Sequence, residues 1–292
     1  MPATVALLTI GLLALGYLGV CGAIAHRFTT AQRKPLPAPP RADARTVQFA
    51  SRDGRAQITA WYTRPADGCP AVVFVHGKDA CRGDELKTDA AALADALDAA
   101  GIAVLRIDLR GHGGSSAARL TYGQTERHDV LGAVDWLRAQ GHGRIGVLGA
   151  SMGAASALLA AAEEPAVTAL VADSSFADFP AMIERQYGKL CRLPHCFLPG
   201  ALLVSRLLTG IDLSRLSPLR AAPALRGRPV LVIHSEGDRF IPVADSRAIA
   251  AACGAGLWTT DTPSHIGTYR ALPTQYTDRV LAFFGQHLCG AE

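Results

Sequence analysis

Apolar residues along the chain fall into two rhythms. Short runs rich in valine, leucine and isoleucine recur at residues 71–77, 102–109, 144–149, 167–173 and 228–235, bounded by Gly, Asp or Ser. Continuous apolar runs of that length predict strands buried on both faces. Between them, residues 88–101, 126–141 and 151–164 have helical composition and stop near Gly or Pro. Strand and helix in alternation predict a parallel sheet with helices on both faces. Residues 56–65, AQITAWYTRP, alternate with period two and predict an antiparallel edge strand ahead of the parallel set.

One segment breaks the rhythm. Between Asp173 and Arg228 no strand pattern occurs; Phe176, Phe179, Ile183, Tyr187 and Leu190 recur at helical spacing, and residues 198–208 are almost wholly apolar. This predicts a helical insertion over about residues 175–227, either a lid over the sheet or a peripheral helix pair that completes the core.

The N-terminus has a different pattern. Ala3 to Ala25 carries no charged side chain, and as a helix it would rise roughly 34 Å, enough to span a hydrocarbon core of about 30 Å. The expected organisation is a transmembrane helix or signal anchor over residues 1–26, a proline-rich linker over 27–44 and one folded domain over 45–292. Arg27, Arg33, Lys34 and Arg41 follow the span, which by the positive-inside rule keeps the domain on the cytoplasmic side. Ala23-Ile24-Ala25 has the form of a cleavage site, and processing there would release the domain.

Composition narrows the function. The chain of 292 residues is 49% hydrophobic and 18% charged, so it can bury a sizeable core. A net charge of +4 with dispersed basic residues gives no nucleic-acid surface. Cys191 and Cys196, in CRLPHC, can be read as a disulfide pair, as part of a metal site with His195, or as free thiols. No phosphate-binding or dinucleotide fingerprint is present, so no cofactor and no metal are expected.

The candidate chemistry centres on GVLGASMGAA, residues 146–155. A strand that ends in G-x-S-x-G and runs straight into a small-residue helix is the context of a nucleophile elbow, with Ser151 at its tip and Gly149 and Gly153 giving room for the turn. Around it lie VHG at 75–77, DLRGHGGSS at 108–116, HSEGDRFIP at 234–242 and PSHIG at 263–267. In this order and context the sequence from Ala71 to Leu288 resembles the α/β-hydrolase superfamily.

That resemblance implies a mostly parallel central sheet flanked by helices and a Ser-Asp-His triad formed by Ser151, Asp238 and His265. It also implies an oxyanion hole from the backbone amides of Met152 and Lys78, with His76 and Gly77 supporting the oxyanion loop. Asp173, at the end of the preceding strand, is the alternative acid. Lys78 departs from the family pattern as a long cation at that turn, which attracts an acidic substrate group or is simply solvated. His128, His142 and His287 read as solvated histidines.

A serine is a weak nucleophile at neutral pH, so His265 takes its proton and Asp238 orients the imidazole. The expected reaction is hydrolysis of a carboxylic ester or thioester, with a small-molecule acyl substrate, through an acyl-serine. A serine peptidase is the second expectation, and a catalytically inactive membrane-anchored binding or scaffold protein the third.

Overall fold

Every residue of strand β3 (Ala71–Val75) is inaccessible to solvent, the outcome of an aliphatic run with no polar face. Val73 and Val75 enter one hydrophobic core, and Val72 and Phe74 enter a second on the opposite side of the sheet. The protein is described by a computed structural model covering residues 2–36, 38–39 and 41–290.

Around β3 the chain builds strands β1 (Arg45–Ala50), β2 (Gln57–Thr63), β4 (Ala103–Ile107), β5 (Ile145–Ala150), β6 (Val167–Asp173), β7 (Val230–Ser235) and β8 (Gly256–Thr260). They form one sheet in the order β1-β2-β4-β3-β5-β6-β7-β8. β1 and β2 run antiparallel to their neighbours, and the remaining strands are parallel. The segment expected as the antiparallel edge is therefore second in the sheet. β1 covers its outer side and β8 closes the opposite edge.

The helices are α1 (Pro2–Thr29), α2 (Ala91–Ala99), α3 (Arg127–Ala139), α4 (Met152–Glu163), α5 (Phe179–Cys191), α6 (Leu198–Thr209), α7 (Pro218–Ala221), α8 (Val243–Cys253), α9 (Thr268–Ala271) and α10 (Pro273–Phe284). Buried residues of α3, α4 and α8 pack on the Val73 side of the sheet, and those of α2 and α10 on the Phe74 side. α5, α6 and α7 form the insertion between β6 and β7. Met182 and Ile183 of α5 and Leu198 and Ala201 of α6 are buried in the same core as Val73.

α1 does not stand apart from this body. Cys21, Ile24, Ala25 and Phe28 are buried, and the Tyr122 hydroxyl donates to the Phe28 carbonyl at 2.9 Å. The Leu120 amide donates to the Thr29 carbonyl at 2.8 Å. The described part of the following proline-rich stretch lies against the domain: Arg33 donates to the Gly111 and Ser115 carbonyls at 3.2 and 2.7 Å. Pro37 and Pro40 lie outside the described residues.

Buried ion pairs fix the loops at the sheet's upper edge. Arg106 in β4 forks onto Glu85 with bonds of 2.7 and 2.8 Å. Arg82 pairs with Asp108, and Arg110 reaches Asp129 at 2.8 Å. Such pairs contribute little net stability, but removing one partner leaves a buried charge, so they hold loop positions. His142, expected in solvent, is buried between the Tyr62 hydroxyl at 2.7 Å and the Cys69 carbonyl at 2.5 Å.

Candidate active site

The loops after β3, β5, β7 and β8 converge at the carboxyl ends of the parallel strands, the edge where open α/β sheets bind ligands. Ser151 occupies the step from β5 into α4 with φ 54° and ψ −116°. Such a backbone costs a non-glycine residue about 1–3 kcal/mol and persists only where the surroundings impose it.

Two glycines impose it here. A Cβ on Gly149 would lie 2.5 Å from the Gly153 carbonyl oxygen, and one on Gly153 would overlap the Val75 carbonyl and come within 2.5 Å of that of His76. The turn is therefore pressed against β3, and the Ser151 amide donates to the Asp173 carbonyl at 2.8 Å.

The hydroxyl raised by this turn meets a histidine. His265 Nε2 is 2.8 Å from Ser151 Oγ, and His265 Nδ1 is 2.6 Å from Asp238 Oδ2. Asp238 Oδ1 accepts the amides of Phe240 and Ile241 at 2.8 and 2.9 Å. His234 lies on the other side of the carboxylate, with Nε2 2.9 Å from the Ile241 carbonyl and 3.4 Å from Asp238 Oδ2.

Burial alone would raise the Asp238 carboxyl, but the bonds from His234 and His265 outweigh it and hold the group well below the usual carboxylate range. Burial likewise pulls His234 down, and the Asp238 carboxylate more than compensates, so its imidazole titrates above the ordinary value.

Asp173 is placed elsewhere. It is fully buried, accepts from the Ser174 hydroxyl at 2.8 Å and the Tyr276 hydroxyl at 3.0 Å, and makes no hydrogen bond to His265. Burial raises its carboxyl above the ordinary value.

The amides of Lys78 and Met152 donate to no protein acceptor among the described residues, and both residues line the cavity at Ser151. An N–H at the first turn of a helix is free to bind an anion, with the helix dipole adding to the attraction. His76 donates from Nδ1 to the Gly77 carbonyl at 2.7 Å and accepts the Leu109 amide on Nε2 at 3.0 Å. Burial lowers its pKa to about 4, so it stays neutral and shapes the loop. The Lys78 ammonium is 2.5 Å from Asp79, and its charge is answered there.

The cavity over Ser151 and His265 has a volume of about 270 Å³. Phe176, Met182, Ile183 and Leu190 of the insertion line one side, and Phe240, Ile241 and Ile266 another. The insertion thus covers the site and completes the core at once. Tyr122 and, from α1, Arg27 and Phe28 also line the cavity. Sequence reasoning missed these three and His234. Only the HSEGD motif carried a signal, for His234; cavity membership of the others arises from packing between distant segments. All seven cysteines are free thiols, and among the described residues no cluster of three or more His, Cys, Asp or Glu could hold a metal ion.

Comparison with known proteins places the chain among hydrolases. The model of the family Hydrolase_4, serine aminopeptidase, S33, matches residues 68–217. The uncharacterized protein YqkD of Bacillus subtilis (strain 168) is 34% identical over 151 residues, which are 50% of this chain and 49% of YqkD. The chain thus spans about half the length of that relative.

Among solved structures, the Pyrococcus furiosus esterase Pf2001 superposes with a TM-score of 0.74 at 22% identity, over 89% of this chain and 98% of the esterase. A Pyrococcus horikoshii acylaminoacyl peptidase superposes with a TM-score of 0.63 at 20% identity, over 93% of this chain and 44% of the peptidase. At these identities the two structures establish the α/β-hydrolase fold.

Proposed function

The chain belongs to the Hydrolase_4 (serine aminopeptidase, S33) family of α/β-hydrolases, and on that premise we propose that it is a membrane-anchored serine hydrolase of carboxylic esters. The observation that carries the reading is the line from Asp238 through His265 to Ser151, with bonds of 2.6 and 2.8 Å, opening on an apolar cavity.

In this reading Ser151 Oγ attacks the ester carbonyl while its proton passes to His265 Nε2. The amides of Lys78 and Met152 hold the resulting oxyanion, each contributing about 3 kcal/mol to the transition state. The proton then moves to the alkoxide, which leaves as the alcohol, and the acyl group remains on Ser151. Water repeats the sequence: His265 takes its proton, the acid is released and Ser151 Oγ is reprotonated.

Amide hydrolysis by the same residues is the second reading, favoured by the family's aminopeptidase description. The cavity argues for the ester. An aminopeptidase needs a carboxylate for the substrate's α-ammonium, and the cavity's Asp79 and Glu85 are already paired with Lys78 and Arg106. The anchor rests on α1, in which Ala3–Thr29 contains an 18-residue window with a mean hydropathy of 2.1 and has sufficient length to cross a membrane. The basic residues after it favour the cytoplasmic side.

The experiment is turnover of paired p-nitrophenyl ester and aminoacyl amide series by the full chain, with Ser151→Ala as control. Ester cleavage that varies with acyl length and disappears in the variant supports the proposal; faster cleavage of the amides supports the peptidase reading.

A further inference from the structure

The apolar span and the catalytic cavity are joined by one helix. Ala3 to Ala25 of α1 has no charged side chain, and the first residues that can carry charge after it are His26 and Arg27. A hydrocarbon core of about 30 Å takes roughly 20 helical residues. Residues 3–16 of α1, the part of the exposed run 3–19 that precedes Tyr17, supply only about 21 Å.

The next stretch is already in contact with the insertion. The Tyr17 hydroxyl donates to the Cys196 carbonyl at 2.8 Å, and its ring stacks on Phe197 at 5.2 Å. Gly200 of α6 lies so close to α1 that a Cβ there would come within 2.5 Å of Cys21 Sγ. A bilayer deep enough to cover the apolar part of α1 therefore also reaches α6.

The outer face of α6 suits that position. Leu203 and Leu207, one turn apart, are 58% and 77% exposed, and Leu208 beside them is 43% exposed. Arg206 on the same helix has a long apolar stem that lets its charged head reach the polar layer. Where the apolar span ends, Arg27 and Phe28 line the catalytic cavity. The cavity wall nearest the anchor thus sits at the depth where acyl chains give way to headgroups.

We infer that α6 lies in the membrane interface beside α1, and that the cavity takes its substrate, an acyl ester dissolved in the bilayer, past Arg27 and Phe28 rather than from water. The inference rests on the anchored-hydrolase reading above. A volume of about 270 Å³, just below the usual range for ligand pockets, holds at most part of one acyl chain.

The test uses the full chain in phosphatidylcholine vesicles and two esters with the same leaving group, p-nitrophenyl butyrate in the water and p-nitrophenyl palmitate in the bilayer. The double variant Leu203→Asp, Leu207→Asp is expected to keep its butyrate rate within twofold and lose at least tenfold on palmitate. Unchanged rates on both esters would overturn the inference. A Leu207→Trp protein reports depth without turnover: its fluorescence should be quenched by bromine-labelled lipid chains more strongly than that of the wild-type protein. Quenching equal to wild type would overturn the inference even if the aspartate variant lost both rates through misfolding. Wild-type protein that does not float with the vesicles, or does not hydrolyse butyrate, would instead overturn the underlying reading and this inference with it.

Discussion

The Tyr276 hydroxyl donates to Asp173 Oδ2 at 3.0 Å, tying the end of β6 to α10. Asp173 is thereby occupied, while Asp238 stands 2.6 Å from His265 Nδ1. Asp238→Asn should lower kcat about 10³- to 10⁴-fold, because an amide does not hold the imidazole in the required tautomer. Asp173→Asn should leave kcat within about threefold. Steady-state kinetics of the two purified variants decide between them, and the opposite ranking would move the acid to β6.

Backbone strain at Ser151 gives a stability prediction. Ser151→Ala keeps the positive φ and its cost, whereas Ser151→Gly removes both the hydroxyl and most of the strain. Both should be inactive, and the glycine variant should be the more stable by about 1 kcal/mol. Urea unfolding of the pair checks this; equal midpoints would mean that the surroundings do not strain the turn.

Gly153→Ala drives a methyl group into the Val75 and His76 carbonyls. Overpacking of this kind costs about 1–3 kcal/mol, and here the carbonyls that must move flank the oxyanion loop. The variant should melt earlier and lose kcat at least tenfold. Wild-type turnover would show that the loop tolerates the displacement.

The Lys78 side chain, held by Asp79, should be dispensable, since the proposed mechanism uses only its amide. Lys78→Met is expected to change kcat/KM less than about threefold for neutral and anionic esters alike. A selective loss on anionic esters would assign the ammonium to substrate recognition.

Two buried histidines set an acid limit. His76 and His112 are each pulled by burial from the ordinary 6.5 to about 4. Between those pH values the unfolded chain binds protons that the folded protein refuses, so stability falls as pH drops through the window, by at most about 3 kcal/mol per histidine. His234, raised by Asp238, works in the opposite sense, stabilising the fold below pH 6.5 and losing that contribution as pH rises through its own pKa. The histidine contribution to denaturant midpoints should fall from pH 7 to pH 4, opposed by Asp129, whose carboxyl is raised by burial to about 7. His112→Gln, which keeps an acceptor for the Asp79 amide and does not titrate, should flatten the slope.

β3, β4, β5, β6 and β7 were legible in the sequence because each lies in the interior of the sheet, where both faces demand aliphatic side chains. β1 and β8 were not. Most of their side chains are exposed or half-buried, and sequences such as GLWTT lack a sustained alternation. The loops bearing Ser151, Asp238 and His265 could be located because glycines and short polar motifs mark strand ends. His142 was misread because its partners, Tyr62 and Cys69, lie 80 and 73 residues away. Phe28 and Tyr122 were hidden for the same reason: long-range packing, not local pattern, carries them to the cavity.

The hydrogen bonds that hold α1 to the body have a consequence for the order of synthesis. Phe28 is bonded to a residue made 94 positions later, and Tyr17 to one made 179 positions later. A chain synthesised from its N-terminus at ~5–20 residues per second completes its most apolar helix many seconds before that helix has a partner. Until the insertion has been made, the surface that will receive Tyr17 and Cys21 does not exist. During that interval some apolar environment outside the chain has to shelter the helix, and the finished enzyme closes around a segment that was placed first.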